Sequence, residues 1–202
     1  MLKLPALAAG LGMSAGAMAL FIVSTSGPGG VIPDDSPGTG KVFTSSVTVG
    51  GPIHVAGVRF TGLSHTWCGD LIMTLTGPGA NNSFNFFYRP GQTTATGFGQ
   101  NGDFVATNTY TFMDGGLAWN TGATIPSGIY APVRSPFAPL QIHNTFESLN
   151  GAVGGTWTLT ISDEAAFASG SLEGWELLYK VPSPGGAALF VVAAVAGLRR
   201  RR

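Results

Sequence analysis

The feature that most constrains the fold is an alternation of apolar and hydroxyl side chains. In GTWTLTISD, residues 155–163, Trp157, Leu159 and Ile161 alternate with threonine and serine. A repeat of two places successive side chains on opposite faces of a β-strand, so one face is apolar and the other polar. The same alternation recurs in GDLIMTLTGPG and in LEGWELLYKV, where Trp175, Leu177 and Tyr179 share one face.

The segments between these runs are rich in turn residues. Glycine, asparagine and proline cluster in GPGANNS, GFGQNGD and TGATIPSG, and the chain holds 31 glycines. Only 10% of the residues are charged, against ~25% in an average domain, and no ten-residue segment of the body has helical periodicity. The sequence therefore predicts an all-β protein, an antiparallel β-sandwich over residues 41–181.

The charge of this body excludes one class of function. Residues 34–181 hold all ten acids but only five of the ten basic residues, a formal charge of −5. A nucleic-acid surface needs clustered lysine and arginine to displace the counterions of the phosphates. We therefore expect no nucleic-acid partner.

The first residues, MLKLPALAAGLGMSAGAMALFIV, have the composition of a secretory signal. Lys3 precedes an apolar run of small residues. Two cleavage points are compatible with the sequence, Ala17-Met18-Ala19 and the STSGPGG that follows. We expect a signal helix over residues 1–26, outside the fold, and a disordered lead-in over the turn-rich residues 27–40.

The last residues combine an apolar run with a basic end. Residues 185–198 are 14 positions without a charge, followed by four arginines. A helix of that length spans about 21 Å, against a hydrocarbon core of ~30 Å, and arginine snorkelling extends this marginal span. We expect a short membrane helix over 185–198, with the arginines on the cytoplasmic side.

This ending, VPSPGG followed by an apolar run and RRRR, resembles a PEP-CTERM sorting signal, with Ser183 where the name-giving glutamate would stand. The resemblance covers residues 182–202 and the valine before them. It implies recognition by an exosortase-type enzyme in bacteria that export surface proteins, and a chain that is secreted or displayed at the cell surface after transient membrane anchoring. The residues that carry it are Val181, Pro182, Pro184, Arg199, Arg200, Arg201 and Arg202.

Pieces of the body follow one another in an order that resembles a proprotein convertase P domain (P/Homo B). They are SHTWCGDLIMTLTGPG, YTFMDGG, SGIYAP, APLQIHNTFESLNG, GTWTLTISD and GSLEGWELLY. The resemblance covers nearly all of residues 41–181. It implies a jelly-roll-like sandwich of the galactose-binding-like class, in a family that usually follows a subtilisin-like serine protease domain and helps it fold.

No catalytic constellation accompanies these pieces. A subtilisin-like triad draws Asp, His and Ser from separated segments of a large α/β domain, and the sequence holds neither GxSxG nor HExxH. The stretch GFGQNG, residues 97–102, matches GxGxxG but leads into DFVATNTYTF, a strand pattern, so we interpret it as a loop. Cys68, the single cysteine, is interpreted as a buried thiol. We expect a protein that is not an enzyme.

Three acids at strand edges or turns are candidate calcium ligands: Asp70, Asp114 and Asp163, with Asp103 and Glu164 as accessory candidates. Oxygen ligands from several loops suit Ca²⁺, and some relatives of the P domain hold calcium near such loops. The alternative is that each aspartate accepts backbone N–H groups and shapes its turn.

The four tryptophans raise the question of a ligand platform. Trp157 and Trp175 lie at alternating strand positions, which is typical of the core, whereas Trp119 lies in the loop GGLAWNTG and is the candidate ligand contact. We expect an exported, surface-sorted, non-catalytic protein with a structural or interaction role. The alternatives are a carbohydrate-binding module that takes an extracellular glycan, and an accessory domain for a separately encoded protease partner.

Overall fold

The computed structural model describes residues 21–34, 40–119 and 122–181. Within these ranges the secondary structure is a series of strands and one short 3-10 helix, Cys68–Asp70, and no helix is long and apolar enough to cross a membrane. The strands are β1 Ile22–Ile32, β2 Val42–Val49, β3 His54–Thr61, β4 Ser64–His65, β5 Leu71–Thr76, β6 Ser83–Tyr88, β7 Thr109–Leu117, β8 Gly128–Tyr130, β9 Val133–Arg134, β10 Gly155–Asp163 and β11 Gly170–Lys180.

The strands form two sheets. In the described part of the chain, one sheet has the order β1-β11-β3-β7-β8, with β4 also paired to β11, and the other has the order β2-β10-β5-β6-β9. The predicted all-β sandwich is confirmed. The prediction of purely antiparallel pairing is wrong at two outer pairs, β6 with β9 and β7 with β8, which are parallel. In both pairs the partner strands are separated by long stretches of sequence, residues 89–132 between β6 and β9 and residues 118–127 between β7 and β8, whereas a tight hairpin would have made them antiparallel.

The core lies between the two sheets. Trp157, Leu159 and Ile161 of β10 are fully buried, as the alternation predicts. The sheets contact each other through aromatic rings, such as Phe86 of β6 and Phe112 of β7, whose centroids are 5.5 Å apart. The indole of Trp175 on β11 donates a hydrogen bond of 2.8 Å to Ser45 Oγ on β2.

The sandwich begins earlier than predicted. Strand β1 pairs with β11 from Ile22 to Ile32, so the prediction of a disordered lead-in is wrong for residues 27–32, and residues 22–26 are not outside the fold. The glycines that resemble turn residues are packing residues: a Cβ at Gly27 would overlap the Trp175 indole, and one at Gly29 would overlap the β11 backbone. Cleavage at the second predicted point, within STSGPGG, would cut β1, whereas cleavage at Ala17-Met18-Ala19 would not.

The other predicted end segments lie outside the described residues. These are residues 1–20 of the signal helix, the membrane helix over 185–198, and every residue of the sorting motif except Val181, which is exposed at the end of β11.

Removal of β1 should destabilise the sandwich. A chain that begins at residue 33 loses the fully buried Ile32 and uncovers Trp175 and one edge of β11, for which we expect a loss of about 3 kcal/mol in the free energy of unfolding. In a thermal melt this corresponds to roughly 6–12 °C. A chain that begins at residue 21 is the control and should melt like the full chain. Equal melting temperatures for the two truncated chains would contradict a structural role for β1.

Candidate functional site

One end of the sandwich carries an apolar cavity of about 340 Å³, hereafter the loop-end cavity. Three segments build it: the turn before the 3-10 helix, the connection between β6 and β7, and the connection between β10 and β11. These segments contribute Trp67, Phe98 and Phe167, hereafter the aromatic rim. Asp70, which is buried, also lines the cavity.

The first two segments are held together by a close backbone approach. The N–H of Gly69 donates to the carbonyl of Gln100 over 3.0 Å. A Cβ at Gly69 would overlap the backbone at Gly99 and Gln100, and one at Gly99 would overlap the carbonyls of Gly69 and Pro90. Only glycine permits this approach, which places Trp67 and Phe98 side by side.

The aromatic rim presents rings to solvent. Trp67 and Phe98 meet edge to face, with centroids 6.5 Å apart, and the exposed fractions of Phe98 and Phe167 are 68% and 102%. Phe167 has a φ of 79°, a left-handed conformation that is unfavourable for a bulky side chain. Its N–H donates to Asp34 Oδ2 over 3.3 Å. The fold thus holds an apolar ring in water at the mouth of a cavity.

Behind the cavity lies a buried histidine–aspartate pair. His65 Nε2 and Asp163 Oδ2 are 3.0 Å apart, and both side chains are fully buried. The backbone N–H of Trp67 donates to His65 Nδ1 over 3.2 Å, so Nδ1 is an acceptor. The ring proton is therefore on Nε2, which donates to Asp163. The second oxygen of Asp163 accepts the N–H of Ala165. Both ring nitrogens and both carboxylate oxygens are therefore in use.

Asp70 differs from Asp163 in its partners. Asp70 is 3% exposed, and its Oδ1 has no hydrogen-bond partner. The nearest cation, Arg89, has its Nη2 3.8 Å from Oδ1 and donates instead to the carbonyl of Gly97. Burial, and then the negative charge of Asp163, raise the pKa of Asp70 to about 6, against the weaker pull of Arg89.

A second cavity, of about 410 Å³, adjoins the first and shares Phe98, Ala166 and Phe167 with it. Arg89 and Glu164 line this neighbour. The Glu164 carboxylate accepts the hydroxyl of Ser162, and the Glu164 N–H donates to the Asp70 carbonyl over 2.9 Å. Two acids, Asp70 and Glu164, and one arginine, Arg89, therefore line the two cavities.

Asp114 lies far from this group. Its two oxygens accept the N–H groups of Phe146 and Glu147, over 3.1 and 2.9 Å. Met113, the neighbour of Asp114 on β7, lies level with Leu178 of β11, because both pair with Gly57 of β3. His65 pairs with Gly170 of β11. These two positions on β11 are eight residues apart, or about 26 Å at ~3.3 Å per residue. Asp114 shapes a turn, as the alternative interpretation predicts.

The aspartates do not form a shared calcium site. A calcium ion requires six to eight oxygens, yet the carboxylate oxygens of Asp114 and Asp163 are occupied by backbone and histidine donors. In the part of the chain that the structure describes, no three His, Cys, Asp or Glu side chains come close enough to hold a metal ion. Asp103 is held in the β6–β7 connection by backbone bonds to Ala123 and Ile125. Calcium binding by the protein stays a prediction.

Trp119 packs against the core instead of standing free in its loop. Its ring lies 4.9 Å from Phe87 and 5.2 Å from Tyr130, centroid to centroid, and its indole N–H donates to Gln100 over 2.9 Å. Trp67, which the alternation of strand residues does not single out, is the tryptophan that lines the cavity.

The Cys68 thiol is buried, as predicted, and burial raises its pKa to about 12.

The buried charge of Asp70 predicts an unusual dependence of stability on pH. Between pH ~4 and ~6 the folded chain retains a proton on Asp70 that the unfolded chain has released. The free energy of unfolding therefore falls as the pH rises through this window and is flat above it, with a contribution of at most about 3 kcal/mol. Asp70→Asn should remove this slope and unfold at higher urea concentration at pH 7. Urea titrations of both proteins at pH 4.5, 5.5 and 7 measure how the free energy of unfolding depends on pH.

Asp114→Asn is the control for that series, because its carboxylate lies at the other end of the sandwich. A slope that persists unchanged in Asp70→Asn would contradict the assignment to Asp70.

Asp114 should contribute to stability without any metal. Asp114→Ala removes the acceptor of two backbone N–H groups, which we expect to cost about 1–3 kcal/mol. The loss in a thermal melt should be the same in EDTA and in millimolar calcium, and Glu147→Gln in the same turn should have little effect. A loss that appears only with calcium would show that Asp114 binds the ion.

No protein-family model matches the chain, and no curated protein matches it in sequence. Among solved structures, the chain is similar to a serine protease of Aeromonas sobria, with 14% identity and a TM-score of 0.40, over 80% of this chain and 27% of that one. It is also similar to a structure of the Aeromonas sobria serine protease with a chaperone, with 15% identity and a TM-score of 0.38, over 79% of this chain and 26% of that one. The chain thus spans about a quarter of the length of those solved chains.

Proposed function

We propose that this chain is an exported, non-catalytic binding module of the P-domain class, with a jelly-roll-like sandwich that presents a ligand site at its loop end. The observation that carries the proposal is the loop-end cavity, which is lined both by exposed aromatic rings and by the buried Asp70, whose Oδ1 has no hydrogen bond. Ligand sites are typically apolar cavities with a few convergent polar groups. Residues with a strained backbone, such as Phe167, and groups with a raised pKa, such as Asp70, are concentrated at such sites.

The absence of catalysis is supported by the state of the reactive side chains near the cavity. His65 is buried with both ring nitrogens engaged, so it has no free nitrogen with which to activate a nucleophile or a water molecule. The Cys68 thiol is buried with a pKa of about 12, so it carries almost no thiolate at neutral pH. Neither group is prepared for acyl transfer.

Export and surface sorting rest on the two ends of the sequence. The basic start with its apolar run, and the VPSPGG–apolar–RRRR ending that resembles a PEP-CTERM signal, favour a chain translocated to the outside and processed near residues 181–185. The acidic, lysine-poor body is compatible with an extracellular interaction role and not with nucleic-acid binding.

A fragment screen followed by NMR tests the binding role. Small neutral and charged fragments are titrated into the full-length chain while the indole N–H of Trp67 and the amides of Ala166 and Ala168 are observed. We expect hits to converge on these resonances, and Phe167→Ala to weaken them. Phe137→Ala, which removes an exposed ring outside the cavity, is the matched control.

The proposed function is wrong if no fragment shifts these resonances, or if the hits converge on another surface. Peptide cleavage by the purified chain that disappears on mutation of one body residue would overturn its non-catalytic part.

A further inference from the structure

The chemistry of the loop-end cavity indicates which class of ligand it takes, an inference that rests on the proposed function. Its walls are mostly apolar. Besides the aromatic rim, the lining residues are Ala166, Ala168, Thr66 and Asp70. The Trp67 indole N–H is already used, because it donates to the carbonyl of Gly99 over 3.3 Å.

Asp70 is the one charged residue among the described residues that line this cavity. Asp70 Oδ1 is buried and lacks a hydrogen-bond donor. Leaving such a group unsatisfied costs about 1–3 kcal/mol, and more when it is charged. A ligand that brings a donor to this oxygen recovers that cost, so the site favours donors over acceptors.

The surrounding charge favours a positive donor. Asp163 is close enough to raise the pKa of Asp70, and Glu164 lines the adjoining cavity, whereas Arg89 is held 3.8 Å from Asp70 by its bond to Gly97. Three carboxylates against one guanidinium leave a local formal charge of −2. A cation near Asp70 reduces the repulsion between buried carboxylates, and an anion increases it.

The aromatic rim completes the chemistry. The faces of tryptophan and phenylalanine attract cations through the ring quadrupole, by about 0.5–2 kcal/mol, and they pack against an aliphatic stem. A sugar, in contrast, carries a hydroxyl on nearly every ring carbon and needs several polar partners. The polar residues that line this cavity are Asp70, with one carboxylate oxygen that has no hydrogen bond, and Thr66, which favours a cation over a glycan.

We propose that the loop-end cavity binds an organic monocation, the guanidinium or ammonium group of a basic side chain, with the charge on Asp70 and the aliphatic stem against the aromatic rim. The cavity of about 340 Å³ is at the small end of the range for ligand sites, which suits one side chain. The occupant is a lysine or arginine on a partner peptide, or a free alkylamine of the same chemistry.

NMR titration of the full-length chain with defined probes tests this assignment. The probes are N-acetyl-arginine amide and N-acetyl-lysine amide, their uncharged counterparts N-acetyl-citrulline amide and N-acetyl-norleucine amide, n-butylammonium, and a set of methyl glycosides. We expect the Trp67 indole resonance to report binding of the cations at least tenfold tighter than that of the neutral counterparts. Tighter binding of the amides than of n-butylammonium assigns the peptide source, and the reverse order assigns a free amine; both outcomes support the cation site.

Two variants separate this mechanism from nonspecific attraction. Asp70→Asn keeps the shape and removes the charge, and should weaken cation binding at least tenfold. Phe167→Ala removes a fully exposed ring, so it should fold normally and weaken binding about threefold. Asp114→Asn removes the same charge at the far end of the sandwich and should leave the affinity unchanged.

Three outcomes overturn the inference: citrulline or norleucine amides that bind as tightly as the cations, glycosides that bind where cations do not, or cation binding that Asp70→Asn leaves intact. The first two leave the proposed function standing, because a ligand still occupies the cavity. A panel in which no probe binds also overturns the inference, and the fragment screen then decides separately whether the cavity binds anything.

Discussion

The loop end of the sandwich depends on how the hydrogen-bond donors are divided between two buried carboxylates. Asp163 receives His65 Nε2–H and the Ala165 amide, while Asp70 Oδ1 receives neither. His65 cannot turn toward Asp70, because its other nitrogen accepts the N–H of Trp67. One carboxylate is thereby fixed as a structural group, and the other has an oxygen without a hydrogen bond, 3.8 Å from the guanidinium of Arg89. A buried charge of this kind lowers the stability of the fold, and it is the group on which the proposed cation site depends.

Much of the fold follows from local patterns. The alternation in GTWTLTISD predicts strand β10 and its buried face, because a repeat of two has one structural interpretation when one face meets a core. Strand β1 could not be predicted in this way. Its sequence, IVSTSGPGGVI, has the composition of a loop, and its glycines are explained only by the Trp175 ring and the β11 backbone that lie against them. Contacts with a strand nearly 150 positions later leave no local signal.

The site was harder to predict than the fold for the same reason. Asp70, Asp114 and Asp163 look alike in sequence, each next to a strand, but their roles depend on which donors the tertiary structure brings to them. Trp119 looks like a free loop residue and instead packs among Phe87, Phe104 and Tyr130. Phe98 and Phe167 carry no periodic signal at all. The one local clue to the cavity is the pair of glycines, Gly69 and Gly99, whose loops meet backbone to backbone.

The position of β11 has a consequence for how the chain folds as it is synthesised. β11 lies between β1 and β3 in its sheet, yet it is the last described strand to be synthesised. Until β11 has left the ribosome, β1 lacks its hydrogen-bonded partner strand, and β3 presents an open edge of the kind that invites pairing with other chains. A chain that emerges from its N-terminus therefore cannot close this sandwich strand by strand. Closure is delayed until β11 inserts, so the unfinished domain remains sensitive to aggregation for most of its synthesis.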